Sequence, residues 1–132
     1  DLDKNSELLS KTASLLIHAA KMDERYTREE KEIIKKALIE LGSNANSIDD
    51  MLKIAEENET SSNQILDFTR EIKNSDENFK TKLIETLWII IFSDNKENIY
   101  ESSLMRRLSG LLYLDSKTVG DIKEKIRKKL GE

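Results

Sequence analysis

At 132 residues, with 37% hydrophobic and 36% charged side chains, the chain is long enough to bury a core and too apolar to remain disordered. It has no cysteine and one histidine, which excludes disulfides, thiolate metal sites and cysteine nucleophiles; a metal site would need oxygen ligands with at most one imidazole. A net charge of −4, from 22 Lys and Arg against 26 Asp and Glu, gives no overall attraction for nucleic acid, and none is expected as a partner.

The absence of proline and the helical spacing of apolar positions predict one all-α domain over residues 1–132. A first helix carries Leu8, Leu9, Leu16, Ala19 and Ala20 and ends near Met22. A second spans Arg28 to Leu41, with Ile33, Ile34, Ala37, Leu38 and Leu41 on one stripe and Gly42 as a left-handed stop. Two surface-packed helices follow. One carries Ile48, Met51, Leu52 and Ala55 behind Ser47, and the other Ile65, Phe68, Thr69 and Ile72 behind Ser61 or Ser62 as N-cap.

From Glu77 a helical period leads into Lys82–Phe92, which is nearly apolar all round from Leu87 onward. A helix without a wet face belongs in the middle of a bundle, so Trp88 is expected in the core. Ile89, Ile90 and Ile91 favour β structure locally, but the length of the periodic segment decides for helix. The run Leu87–Phe92 falls far short of the roughly 20 residues that cross a bilayer. Two last helices carry Leu104, Leu108, Leu111 and Leu112, then Val119, Ile122, Ile126 and Leu130.

The sequence repeats itself at an offset of 71 residues. Ala13 falls on Ile84, Leu16 on Leu87, Ala19 on Ile90, Ile34 on Met105, Ala37 on Leu108 and Leu41 on Leu112. The predicted fold is therefore a compact bundle of six or seven helices built from two pseudo-repeated helical hairpins. The same offset carries Asp23 onto Asp94 and Glu30 onto Glu101, one acidic pair in each hairpin turn.

Two chemistries account for these turns. Thr27-Arg28-Glu29-Glu30 fits a capping box, and Asn98-Ile99-Tyr100-Glu101 fits it with an asparagine cap; on that account the glutamates only start helices. Alternatively Asp94, Glu101, Asn98 and a loop carbonyl converge on a hard cation such as Ca²⁺ or Mg²⁺. This is no EF-hand, because Lys96 stands at the third position and Ile99 where glycine is required. Arg25 and Lys96 lie within the turns and repel a cation.

These residues carry a resemblance. The turns after "LLIHAAKMDE" and "LWIIIFSDN", the "LDFTREI" segment and "IYESSLMRRLSGLL" resemble the TerB-like group of tellurite-resistance-associated proteins, over nearly the whole chain from Leu8. The resemblance implies a compact all-helical fold, a stress or tellurite-resistance context, and weak divalent-cation sites at Asp94 and Glu101 and at Asp23 and Glu30. The family's turn glycine is Glu24 in the first turn and Asn95 in the second, and only asparagine readily takes a left-handed conformation. A related helical domain in membrane-anchored co-chaperones implies, alternatively, a protein-contact module whose acidic turns only cap helices.

No nucleophile elbow, phosphate loop or acid–base pair is visible, so neither catalytic residues nor an organic cofactor are expected. His18, alone on a helix, reads as a packed or interface residue. The basic run Lys123–Leu130 complements the dipole at a helix C-terminus, although it could also meet phosphate or an anionic membrane. Glu56, Glu57, Glu59, Asp76 and Glu77 form an acidic side suited to basic partners or to water. The small residues Ala13, Ala19 and Ala20 suit close helix packing, either within one core or across a homodimer contact. A protein partner and a cytoplasmic location are expected. The chain starts at Asp1, so an upstream segment that could tether it is expected to have been removed.

Overall fold

Helix ends in the computed structural model follow local chemistry closely. The structure describes residues 2–23, 26–61, 65–93 and 99–131, with side chains described over 6–22, 26–60, 65–93 and 102–131. Among them are seven α-helices and no strand: α1 (Leu2–Ala20), α2 (Arg28–Glu40), α3 (Ile48–Ser61), α4 (Leu66–Ile72), α5 (Glu77–Ser93), α6 (Ile99–Leu111) and α7 (Ser116–Lys129), with a 3₁₀ turn at Lys21–Asp23. The all-α expectation holds throughout the described chain.

Asp76 Oδ1 accepts from Phe79 N–H at 2.8 Å and starts α5, and Asp115 accepts from Lys117 N–H at 3.2 Å and starts α7. The fourth helix differs from its prediction. Ser61 is the last residue of α3, and α4 begins after Ile65, which provides no side-chain cap. The predicted cap at Ser62 lies outside the described residues.

α2 stops as its sequence requires. Gly42 takes φ 121°, and Ser43 N–H donates back to Leu38 O at 2.9 Å. The same device recurs 71 residues later, where Leu114 N–H donates to Ser109 O at 2.8 Å, but the left-handed residue is Tyr113 at φ 58°. Buried positions also correspond: Ala13 and Ile84, Leu16 and Leu87, and Ile34 and Met105 are all within the core. The corresponding helices α2 and α6 have different neighbours, however. α2 packs on α1, α3 and α5, whereas α6 rests chiefly on α7 and α4.

The core is one continuous cluster drawn from every α-helix. α5 is buried on all sides from Leu83 to Phe92 apart from Glu85 and Ile89, and Trp88 is core as predicted. α1 is an equally central element, packed against α2, α3, α4 and α5. Its residues Thr12 to Ile17 are all buried; Thr12 Oγ1 donates to Leu8 O at 2.8 Å and Ser14 Oγ to Ala55 O at 3.2 Å, so neither hydroxyl is stranded. Ala13, Ala19 and Ala20 are consumed in this core and therefore offer no surface stripe to a second copy. No helix is long and apolar enough to cross a membrane among the described residues.

Candidate functional site

The first acidic turn is built from Glu30 upward. Thr27, extended at φ −81° and ψ 162°, accepts from Glu30 N–H at 3.1 Å, while Glu30 Oε1 accepts from Thr27 N–H at 2.9 Å and from the Thr27 hydroxyl at 3.1 Å. The capping box read from the sequence is therefore present, and it buries Glu30. Of the other candidates, Asp23 ends the 3₁₀ turn and Glu101 lies near the start of α6, their side chains beyond the described set. Asp94 and Asn98 lie outside the described residues altogether.

Beside this turn lies an open cleft of about 530 Å³ between the start of α2 and the flank of α3. Its cations are Lys21, Arg28, Lys31 and Lys35, facing Glu32 and Glu56. Most of that charge is answered internally. Lys31 Nζ is 3.2 Å from Glu56, Lys35 is 2.7 Å from Asp49 and 3.6 Å from Glu32, and Lys21 is 2.8 Å from Glu59. The Lys35 ammonium, by hydrogen bond first and charge second, holds the Asp49 carboxyl below its usual range. The Tyr26 hydroxyl donates to Glu56 at 2.9 Å, and burial, that bond and the charges of Glu56 and Glu30 push its pKa far up, so it remains protonated. No activated nucleophile results.

Two ionic features were not legible as sites. His18 Nδ1 approaches Glu59 at 3.3 Å, and the nearly buried Glu59 carboxylate also takes Lys21, so three residues pin α1 to α3. His18 is thus the packed residue it was read to be, with its ring 6.2 Å from that of Phe68. Of the acidic side read from the sequence, Glu59 and Glu56 are engaged internally and Asp76 is a cap; only Glu57 and Glu77 stay as exposed carboxylates without such a role. For Glu56 and Glu59 spacing alone could not show this, since their partners lie 25 to 41 residues away in the chain.

Residues 9–124 match the family described as tellurite resistance protein TerB. The chain belongs to that family. The resemblance read from the two acidic turns and "LDFTREI" is therefore correct, and it spans most of the sequence. No curated protein and no solved structure matches the chain.

In the described part of the first turn, the acidic residue for which the TerB-like resemblance implies a cation is Glu30. Glu30 Oε1 already serves the backbone and hydroxyl of Thr27, and four cations stand in the adjoining cleft. Among the described residues of this TerB chain, no three His, Asp or Glu side chains gather in a way that could hold a metal ion. Exposed large apolar side chains are also spread out: Ile39, Ile54, Leu66, Tyr113 and Leu130 belong to five different segments.

Proposed function

We propose that the chain is a non-enzymatic accessory domain of the tellurite-resistance family that works by contact with another protein, with its first acidic turn serving to start a helix. The geometry of Glu30 supports this reading most directly, because its backbone N–H and its carboxylate Oε1 are both engaged in the cap that starts α2. The competing reading is a weak Ca²⁺ or Mg²⁺ site at Asp94 and Glu101.

Thermal melts in chelator and in millimolar Ca²⁺ separate the two, since a ligand of the native state must raise its stability. The expected result is one melting temperature in both buffers, with Glu30→Ala costing about 1 kcal/mol in either. A calcium-dependent rise that Asp94→Asn and Glu101→Gln abolish would replace the contact reading by the cation reading. Contact itself is read by photo-crosslinking in cells from exposed positions on each helix, which should yield a discrete adduct. A chain that crosslinks nowhere is not a contact domain.

A further inference from the structure

A groove of about 310 Å³ runs between α6 and α7. Its floor is Trp88, Met105 and Val119, and Arg106 and Lys123 stand at its rim. The floor is firmly set. Trp88 Nε1–H donates to Val119 O at 3.2 Å, the indole stacks on Phe92 at 5.7 Å, and the Lys123 ammonium lies 5.1 Å from the indole centroid.

The residue that draws attention to this groove is Gly120. It sits inside α7, where glycine costs about 1 kcal/mol relative to alanine. Among the described residues nothing demands it: a Cβ built there would meet no atom within 4 Å, and its φ is not positive; the same holds for Gly110, but only Gly120 lines the groove. Its missing side chain leaves open space on the lining of the groove. Such an absence gains purpose when a second backbone approaches from outside.

Charge identifies the visitor. From Ile99 to Gly131 the chain carries eight Lys and Arg against four Asp and Glu, whereas residues 1–98 carry fourteen against twenty-one. Arg106 is exposed and has no carboxylate partner among the described residues. A membrane is a poor fit, because Trp88 and Met105 are recessed at 3% and 2% exposure and no described apolar side chain lining the groove projects toward a bilayer. Nucleic acid would use the cations without needing the notch at Gly120.

We propose that the groove between α6 and α7 receives an acidic segment of a partner protein, whose backbone comes close at Gly120 and whose carboxylates meet Arg106 and Lys123. This rests on the contact reading above and adds the place and the charge of the partner. The test follows the whole isotope-labelled chain by NMR during titration with a synthetic helical peptide of glutamate and leucine, the leucines on one face. Shifts should gather at Gly120, Ser109 and the Trp88 indole, and weaken as salt is added. Gly120→Leu and Arg106→Glu should each weaken the peptide roughly tenfold or more. Gly110→Ala, a control at the other helical glycine with nothing within 4 Å, should leave it unchanged. Binding that ignores Gly120→Leu, shifts centred on α2 and α3, or no shift at millimolar peptide would overturn the groove. So would anionic vesicles or duplex DNA perturbing these residues when the peptide does not. A crosslinked partner that persists after Gly120→Leu would leave the contact reading intact while removing the groove from it.

Discussion

Tyr113 stands where its counterpart 71 residues earlier is Gly42, and both close a helix with a left-handed residue. Gly42 does this without strain, whereas a side chain in that region meets the following carbonyl at a cost of about 1–2 kcal/mol. The Tyr113 ring is 69% exposed, with Lys73 and Lys80 ammonium groups 5.8 and 5.9 Å from its centroid. Each contact of that kind at an exposed site contributes about 0.5–1 kcal/mol, so the two together are of the same size as the backbone strain. Tyr113→Gly should accordingly leave the unfolding free energy within about 1 kcal/mol of the parent in chemical denaturation. A larger loss of stability would show that the two lysine contacts outweigh the backbone. Glu30 gives the opposite lesson on legibility: its role could be read from four consecutive residues because a capping box is a local structure.

Between elements, the pair Glu7 and Glu71 joins α1 to α4 at a cost. Burial first, then the hydrogen bond and charge of Glu7, raise the Glu71 pKa above its ordinary 4.5, and Glu71 Oε2 is buried without a hydrogen-bond partner. A raised carboxyl pKa means that the folded state holds the proton more tightly than the unfolded chain does. The resulting stabilisation is present at low pH and is lost as pH rises from about 4.5 through the folded pKa. Glu71→Gln should therefore be more stable than the parent at neutral pH, by roughly 0.5 kcal/mol after allowing for solvent screening. Its stability should also vary less with pH above 4.5, as measured by denaturant titration at several pH values. A variant that loses stability at neutral pH would mean the ionised carboxylate is held by something better than water.

The same scale shows which elements were legible. α5 declared itself because it is apolar on every side, while α1 hid an equally buried turn behind Thr12 and Ser14, whose hydroxyls are satisfied by backbone carbonyls. The misplaced N-cap of α4 arose from a serine that could equally end one helix or begin the next, and packing of α3 on α1 extended the earlier helix through Ser61.

Across the whole molecule, the buried residues of all seven helices form one cluster, and the single tryptophan lies where α5 meets α7. Trp88 thus reports on the packing of α7 against α5 while helical circular dichroism reports on the entire chain. If residues 1–132 behave as one domain, the two signals should fall together in urea with a common midpoint. Separate midpoints would divide the C-terminal helices from the rest.

By itself the sequence determined the helical class, the approximate limits of the helices, the first-turn cap, the central place of α5 and the family, because each depends on neighbours within a few turns or on a pattern repeated along the chain. Tertiary structure alone decided that α1 is the other hub, that Glu56 and Glu59 serve the fold rather than a surface, that α2 and α6 have different neighbours, and that Trp88, Arg106 and Gly120 meet in one groove. Those outcomes depend on residues distant in the chain being brought within a few ångströms, and helical periodicity sets which face a residue occupies without setting what that face will meet.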